Sequence, residues 1–567
     1  MPTVSRGSFG VASILLLFCA RLAASDIELT VGKSQDGVLR DGRSQSYSVT
    51  VQAGDFIELS VEPRGNELSI ITYDPDGARF RAALIGPDSG TFTFIADHSG
   101  KYRVEVAMVA KAVVVDYTIT LAKTVTLAAR LVSSNHVDRS PRIKALRASL
   151  REGNERTVDT FWGEIATAGS PIIEPLSGDK KNMLVTFLWR GTPDTHNVIV
   201  LRLPYAVAVP EEYFMGHLAG TDVWYKSVVI ESDMRFDYTI ATNVPPIEGL
   251  AHGIDGDTVA MIAAAARPDP LNQKHWRVEP GSIDAPEFRG SSVVEMPDAP
   301  TQPWLRTRPE VTPGQIQRER LHSKLLKNDR EIAVYLPRDY SITAEPYPFI
   351  VLFDEGAYLG DESQSDLVPT PVIADNLISE KRIPPAVILF VGNAPGARRQ
   401  ELACNPIFAE FLVSELLPWV HHLYNLTSNP GQVVVGGSSF GGLAATCAGL
   451  AHPERFGNVL AQSGSFWWTP AENENTSGLQ KSEPNWMASQ FILSPKLDLR
   501  FYLDAGREEI DFTGGGNSIL LTTRNLRDVL LAKGYDVYFQ EFAGGHDYLS
   551  WRATLADGLI FLMGNLH

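Results

Sequence analysis

Apolar and polar residues alternate along residues 26 to 124, which is the pattern of strands that bury one face. Turn-forming residues interrupt the alternation at 53–55, 74–77 and 99–100. The strand-rich segments are SQSYSVTVQAGDFIELSVEP, ELSIITYDPDG, GTFTFIADHSGKYRVEVAMV and VVVDYTITLAK. Short strands with regular turns predict a small antiparallel β-sandwich, which we assign to residues 26–130. Its aspartates lie in turns, where local backbone hydrogen bonding explains them, so we assign no catalytic role here.

The pattern changes over residues 131–296, where a helical connector precedes a second run of strands. Ile143, Leu146, Leu150 and Val158 recur at helical spacing within the charged segment 138–164. Strand patterns return from residue 171 to 272, in NMLVTFLWRG, NVIVLRLP, VWYKSVVI and MRFDYTIATN. These segments predict a second β-sandwich.

A proline-rich segment, PDAPTQPWLRTRPEVTP at 297–313, predicts a linker and a domain boundary, because proline suits neither helix interiors nor central strands. Beyond it, continuous apolar runs alternate with helix-compatible stretches such as 408–424 and 442–451. The apolar runs are REIAVYLP, YPFIVLFDEG, AVILFVG, QVVVGGSS, LRFYLDAG and VYFQEFAGGHD. This alternation predicts an α/β domain over 314–567, with a mostly parallel sheet covered by helices on both faces.

The first 25 residues carry the pattern of a secretory signal peptide. Arg6 supplies the positive start, residues 11–20 are apolar but too short to span a bilayer, and 23–25 are small. Bulky Phe18 precedes Cys19, which argues against a lipoprotein signal. We therefore expect a soluble periplasmic or secreted protein. No later run reaches 18 apolar residues, so we expect no membrane span.

Composition adds few constraints. The 567 residues are 44% hydrophobic and 21% charged, which is typical of a globular protein with several domains. The net charge of −17, or −19 once Arg6 and Arg21 are removed, argues against nucleic acid and anionic membranes as partners. Two cysteines, Cys404 and Cys447, remain after cleavage, and the sequence leaves their pairing open.

A nucleophile motif lies at residues 432–450, QVVVGGSSFGGLAATCAGL. Its core, GSSFG at 437–441, fits the Gly-x-Ser-x-Gly elbow between a buried strand and a helix of small residues. The elbow requires glycine two residues before and two after the serine, because the strained turn leaves no room for Cβ atoms. Ser439 meets this requirement, whereas Ser438 would have Phe440 at the second position. Ser439 is therefore the predicted nucleophile.

The predicted base and acid follow the nucleophile in chain order. His546 lies on a glycine loop, FAGGHD at 542–547, directly after an apolar strand. Another strand ends in a glycine turn with carboxylates, FYLDAGREE at 501–509. We choose Glu509, three residues beyond Gly506, as the acid that orients the base. The sequence leaves three competing carboxylates, Glu508, Asp504 and Asp511. It also leaves open a surface cluster of carboxylates, with a dyad of serine and histidine performing the chemistry.

Backbone N–H groups are expected to form the oxyanion hole. One donor is Phe440, the residue after the nucleophile, and the other comes from the loop that follows IVLF at 350–353. Gly356 is our choice for the second donor, and Glu355 is the alternative.

Several spaced motifs resemble those of the enterochelin (enterobactin) esterase family. The motifs of the α/β domain are 439–442, AQSGSFWW at 461–468, Arg398 with Glu401, Leu402 and Asn405, and GGHD at 544–547 with Trp551 and Arg552. The motifs that resemble this family's N-terminal sandwich are Phe161-Trp162, GSP at 169–171, VTFLWR at 185–190 and DPLN at 269–272. The resemblance spans residues 155–567, and the first sandwich separately resembles the pre-peptidase C-terminal type in SYSVTVQAGD and SGKYRVEV.

The resemblance implies a function, because this family hydrolyses the trilactone of ferric catecholate siderophores. It implies a small-molecule siderophore ester as the partner, with Ser439 as nucleophile, His546 as base and Glu509 as acid. It also places Arg398 where an anionic catecholate binds. A local patch such as Arg398 and its neighbour Arg399 would override the negative net charge of the chain at the pocket. The aromatic faces that the resemblance implies for the substrate are Trp467, Trp468 and Trp551. No metal or cofactor is implied, and iron enters only within the substrate.

The chain departs from the family pattern in two places. The family loop begins Asp-Gly-Glu, whereas here it reads Asp354-Glu355-Gly356, and the signal peptide with a first sandwich is an unusual addition. Two other functions therefore stay open. One is an esterase or acyltransferase acting on other acyl or feruloyl-type esters, since the elbow alone specifies only acyl chemistry. The other is a secreted binding protein whose hydrolase domain is vestigial.

Overall fold

The computed structural model describes residues 26–40, 44–64, 67–85, 90–108, 114–126, 139–153, 156–204, 214–244, 256–276, 290–359, 367–470, 485–510 and 518–564. The predicted signal peptide and Asp511 lie outside these residues. The chain forms two compact units, Met1–Leu127 and Ala128–His567. Residues on both sides of the proline-rich linker thus belong to one unit.

In the described residues of the first unit, nine strands form two sheets. The strands are β1 (Ile27–Glu28), β2 (Ser34–Leu39), β3 (Ser44–Val51), β4 (Phe56–Pro63), β5 (Leu68–Tyr73), β6 (Arg79–Ile85), β7 (Gly90–Ile95), β8 (Gly100–Met108) and β9 (Val115–Val125). The sheet orders are β1-β3-β8-β5-β6 and β2-β9-β4-β7, and all pairs are antiparallel except β1 with β3. Both sheets contribute to one apolar core. Within it, the hydroxyls of Tyr47 and Tyr117, one from each sheet, lie 2.8 Å apart.

The described part of the second unit begins with two helices, α1 (Pro141–Arg151) and α2 (Thr157–Ala168), where the sequence predicts the helical connector. Ser140 caps α1, because its side chain accepts a hydrogen bond from the Ile143 amide. Both helices pack their apolar residues onto strand residues such as Leu188 and Tyr225.

In the described part of residues 171–296, two four-stranded antiparallel sheets follow, in the orders β10-β11-β14-β13 and β12-β15-β17-β16. Their elements are β10 (Ile172–Leu176), β11 (Asp179–Arg190), β12 (Val198–Leu201), β13 (Gly216–His217), β14 (Val223–Glu231), β15 (Arg235–Thr242), α3 (Gly256–Ala265), β16 (His275–Trp276) and β17 (Ser291–Glu295). Phe187 of one sheet and Tyr238 of the other pack edge to face, with ring centroids 4.7 Å apart. We call residues 171–296 the upstream β-domain.

The rest of the chain has the predicted α/β hydrolase fold. Its elements are β18 (Gln315–Ser323), β19 (Asn328–Leu336), β20 (Phe349–Phe353), α4 (Glu355–Tyr358), α5 (Thr370–Ser379), β21 (Val387–Val391), α6 (Arg398–Leu402), α7 (Pro406–Phe411), α8 (Leu417–Leu423), β22 (Val433–Ser438), α9 (Phe440–Ala451), β23 (Asn458–Gln462), α10 (Trp486–Leu493), β24 (Arg500–Gly506), α11 (Ile519–Ala532), β25 (Asp536–Phe542) and α12 (Tyr548–Met563). The eight strands run in the order β18-β19-β21-β20-β22-β23-β24-β25. The first two pairs are antiparallel and the others are parallel.

Helices cover both faces of this sheet, which explains the continuous apolar runs. Val351 and Phe353 of β20 belong to the apolar cluster on one face, whereas Ile350 and Leu352 belong to the cluster on the other. Among the described residues, no helix has the length and apolarity needed to cross a membrane.

Candidate active site

The nucleophile turn joins β22 to α9, with Ser439 at φ 57° and ψ −122°. This backbone conformation is costly for a residue with a side chain, and such strain is typical of functional sites. A Cβ on Gly437 would lie 3.0 Å from Gly441 Cα, and one on Gly442 would lie 3.2 Å from the Gly437 oxygen. On Gly441 it would meet Asp354 Oδ2 at 3.4 Å, an ordinary contact. Lack of space thus explains Gly437 and Gly442, and our expectation was wrong for Gly441.

Three side chains predicted from the sequence meet in a hydrogen-bonded row. Ser439 Oγ lies 2.9 Å from His546 Nε2, and His546 Nδ1 lies 2.5 Å from Glu509 Oε1. The other oxygen of Glu509 accepts a hydrogen bond from the Gly506 amide at 2.6 Å. Glu509 is 1% exposed. Glu509 can hold the imidazole so that Nε2 faces the serine, which is the geometry of a nucleophile, base and orienting acid.

Asp504, one of the competing carboxylates, has a different environment. It is fully buried at the end of β24, and its Oδ1 accepts a hydrogen bond from the Ser463 amide at 2.9 Å. Burial, together with the nearby Glu509 charge, raises the pKa of Asp504 from 3.8 to about 7.

This raised pKa gives a stability prediction whose sign follows from proton counting. Between pH 4 and 7 the unfolded chain has lost the Asp504 proton while the folded chain keeps it, so Asp504 lowers the free energy of unfolding as pH rises. Asp504→Asn should therefore gain stability relative to wild type between pH 5 and pH 8, by about 2.6 kcal/mol. Chemical denaturation at both pH values measures this gain, with exposed Asp498→Asn as the control. An equal effect of Asp504→Asn at both pH values would contradict the prediction.

Trp551 packs against His546, the predicted base. Its ring lies edge-on to the His546 ring with centroids 4.8 Å apart, and its Nε1 donates a hydrogen bond to Ser463 Oγ. Trp551 is only 3% exposed. It therefore has no free face for a substrate, and its predicted role in substrate binding is corrected.

The other two tryptophans differ from each other. Trp468 is 2% exposed and packs edge-on against Trp486 in the core, so its predicted role in substrate binding is also corrected. Trp467 is half-buried, and its ring packs edge-on against Phe440 with centroids 5.9 Å apart. Trp467 thus stays a candidate for binding an aromatic substrate.

Arg398 already has an anionic partner within the protein. Its Nε and Nη2 donate to the two carboxylate oxygens of Asp354 at 2.6 and 2.7 Å, and this pairing raises the pKa of Arg398. Asp354 is 4% exposed and also accepts a hydrogen bond from Asn393. The charge of Arg398 is therefore already balanced by Asp354, although 39% of the arginine side chain is exposed. Its role in binding a substrate anion stays a prediction. Arg399 is exposed, with its guanidinium carbon 5.5 Å from the Phe440 ring centroid.

The two predicted oxyanion donors lie on neighbouring strand ends. Phe440 is the first residue of α9, after β22, and Gly356 lies in α4, after β20. The two strands are paired in parallel. Asp354, between β20 and α4, has a left-handed backbone at φ 60°. The choice of Gly356 over Glu355 stays a prediction.

Ser465 is a residue of this site that our sequence reasoning left without a role. Its hydroxyl lies 3.3 Å from Ser439 Oγ, and its amide donates a hydrogen bond to the Ser439 carbonyl. The motif AQSGSFWW contains Ser465, so the resemblance pointed to the segment without identifying the serine.

A disulfide resolves the open question about the cysteines. Cys404, just beyond α6, is bonded to Cys447 in α9. The bond ties the segment that carries Arg398 and Arg399 to the helix that begins after the nucleophile. Within the part of the chain that the structure describes, no group of three or more His, Cys, Asp or Glu side chains is arranged to hold a metal ion.

Family models match both halves of the second unit. The model for the N-terminal domain of enterochelin esterase matches residues 184–305, and the Esterase model matches residues 323–562. The iron(III) enterobactin esterase of Dickeya dadantii is 31% identical over 446 residues, which cover 73% of this chain and 95% of the relative. The iron(III) salmochelin esterase of Escherichia coli is 26% identical, over 74% of this chain and 98% of the relative.

Solved structures agree with these matches. The enterobactin esterase of Shigella flexneri, crystallised in the presence of enterobactin, is 28% identical with a TM-score of 0.55, over 72% of this chain and 98% of that one. The ferric enterobactin esterase of Salmonella typhimurium is 27% identical with a TM-score of 0.56, over 71% of this chain and 98% of that one. The chain belongs to the enterochelin esterase family.

Proposed function

We propose that this protein is a serine esterase that hydrolyses the trilactone ester bonds of a ferric catecholate siderophore of the enterobactin type. The observation that carries the proposal is the continuous hydrogen-bonded row from Ser439 through His546 to Glu509. The family supplies the substrate class, because its curated relatives are named iron(III) enterobactin and salmochelin esterases.

In the proposed mechanism, His546 Nε2 accepts the proton of Ser439 Oγ while that oxygen attacks the ester carbonyl. Glu509 stabilises the imidazolium through Nδ1. Backbone N–H groups, with Phe440 as one donor, stabilise the negative oxygen of the tetrahedral intermediate. His546 then gives the proton to the leaving alkoxide. Water, activated by the same base, hydrolyses the acyl-enzyme, and iron takes part only within the substrate.

We assign the binding of an anionic catecholate to a surface formed by Arg399, Phe440 and Trp467. Arg399 is exposed, and both Arg399 and Trp467 lie beside the Phe440 ring, so cation and aromatic faces adjoin the nucleophile turn. Such a local cation offsets the unfavourable net charge of the chain at the site. Arg398 also holds Asp354 in place beside the turn, through two hydrogen bonds.

Arg399→Gln is expected to raise KM for a ferric catecholate ester about tenfold, equivalent to about 1.4 kcal/mol, with kcat little changed. The reason is that the guanidinium stabilises bound substrate and transition state equally. Steady-state kinetics measures both constants, and exposed Arg320→Gln on the edge strand β18 serves as the control. A change confined to kcat would contradict this assignment.

The function itself is tested by product analysis with a ferric catecholate trilactone, alongside saturation kinetics on simple aryl esters. We expect the trilactone to be opened with the higher kcat/KM. Equal or better turnover of the simple esters would favour an esterase or acyltransferase for other acyl or feruloyl-type groups. Capture of the siderophore without turnover would favour a binding protein with a vestigial hydrolase domain.

We further propose that the protein acts in the periplasm or outside the cell, after removal of residues 1–25. The Cys404–Cys447 disulfide supports this proposal, because structural disulfides persist in oxidising compartments. We also propose that residues 26–130 and the upstream β-domain are both β-sandwiches. Their support is that each has two sheets, antiparallel apart from the pairing of β1 with β3, around a shared apolar core.

A further inference from the structure

The loop that carries the acid is in contact with the upstream β-domain. Arg507 lies between the strand-end Gly506 and the acid Glu509. Its Nη2 lies 2.7 and 2.6 Å from the two oxygens of Asp233, in the turn between β14 and β15. The same nitrogen lies 3.1 Å from Glu231 Oε2. One arginine therefore joins the acid loop to two carboxylates of another domain.

The backbone around Arg507 also joins the acid loop to the base loop. The Arg507 amide donates to the Phe542 carbonyl at 2.9 Å, and the Glu508 amide donates to the Gly544 carbonyl at 3.2 Å. Gly544 precedes His546 by two residues. A displacement of Arg507 would thus shift both loops, and with them the distance between Glu509 and His546.

The base loop has its own contacts with the upstream β-domain. Ala543 packs against the apolar core of that domain. Asp547, directly after His546, lies near Asp237, which pairs with Arg202 at 3.0 Å. Burial and the Asp237 charge raise the pKa of Asp547 to about 7. Both loops that complete the triad therefore rest on the same domain.

We propose that Arg507 is a positioning residue, which uses Asp233 and Glu231 to hold the acid loop so that Glu509 keeps His546 aligned with Ser439. The inference rests on the proposed function for the triad. It makes the upstream β-domain a part of the catalytic assembly in addition to any role in binding. Small displacements of catalytic groups are costly in rate, because a shift of about 1 Å reduces turnover roughly 100-fold.

The test uses the full chain and a simple aryl ester, whose hydrolysis needs the triad but no recognition of a siderophore. Arg507→Gln is expected to lower kcat about tenfold or more with KM within about twofold, since the loss is confined to the transition state. The acidic limb of the pH profile should move to lower pH, because a displaced Glu509 stabilises the imidazolium less. Arg507→Lys should recover part of kcat.

Arg500→Gln is the matched control. Arg500 lies at the opposite end of β24, has the same 29% side-chain exposure as Arg507, and pairs with Asp536 at 2.8 Å. It should leave kcat and the pH profile unchanged. Asp233→Asn alters only the upstream β-domain, and it should lower kcat as Arg507→Gln does. If Arg507→Gln does not fold, Asp233→Asn is the variant that tests the proposal.

An unchanged kcat in folded Arg507→Gln would overturn the proposal. If Arg507→Gln does not fold, an unchanged kcat in Asp233→Asn would overturn it. An equal loss of kcat in Arg500→Gln would also overturn it. These results differ from a failure of the proposed function. In that case the wild-type protein would hydrolyse aryl esters and leave the ferric trilactone intact.

Discussion

Ser439→Ala is expected to lower kcat for ester hydrolysis by about 10⁴-fold or more, because the variant lacks the hydroxyl that His546 activates to form the acyl-enzyme. The remaining rate reflects binding and the oxyanion donors alone. Binding of the ferric siderophore should persist, since the hydroxyl contributes little to the ground state. Single-turnover kinetics and equilibrium titration of the same variant separate the two effects.

Ser438→Ala is the natural control, since Ser438 is the adjacent serine and is buried at the end of β22. We expect its kcat to stay within a few-fold of wild type. A Ser439→Ala protein that retains wild-type turnover would show that the row of side chains is not the catalytic apparatus. A Ser438→Ala protein with the larger loss would place the nucleophile one residue earlier.

Glu509→Gln is expected to lower kcat by about 10³–10⁴-fold with a small change in KM. A neutral amide neither fixes the tautomer that presents Nε2 to Ser439 nor stabilises the imidazolium. Because the amide has nearly the shape of the carboxyl, the fold should be preserved. Steady-state kinetics across pH 5–9 measures the loss.

The control for Glu509→Gln is Glu508→Gln, which changes the adjacent carboxylate in the same loop. Its kcat should stay within a few-fold of wild type, because it is Glu509 whose Oε1 faces His546 Nδ1 at 2.5 Å. A larger loss in Glu508→Gln than in Glu509→Gln would transfer the role of the acid to Glu508. Comparable small losses in both would indicate a dyad of serine and histidine.

The sequence was sufficient to predict Ser439 and His546, because each has a local context, whereas for the acid it offered Glu509 only as a choice among several carboxylates. Ser439 stands between a buried strand and a helix of small residues, and His546 stands on a glycine loop after a strand. Glu509 was selected over its neighbours by its distance from Gly506. The structure gives the physical reason. A glutamate three residues beyond the glycine can accept a hydrogen bond from the Gly506 amide with one oxygen, while its other oxygen faces the histidine.

Tertiary contacts explain what the sequence could not give. Trp468 and Trp551 belong to aromatic motifs, but Trp468 packs against Trp486 and Trp551 bonds to Ser463, and each partner lies on a separate segment. The positive charge of Arg398 is balanced by the carboxylate of Asp354, which lies 44 residues earlier in the chain. Arg507 pairs with Asp233, 274 residues away, and no local pattern contains such a pair.

The disulfide between Cys404 and Cys447 closes a covalent ring in the chain, and Ser439 lies inside that ring. A single proteolytic cut between the two cysteines therefore opens the ring without releasing a fragment. On a denaturing gel, nicked molecules would therefore stay in one piece under non-reducing conditions and would separate into two fragments only after reduction. Ser439 thus stays covalently attached to the rest of the molecule, whether the cut lies before or after it in the ring.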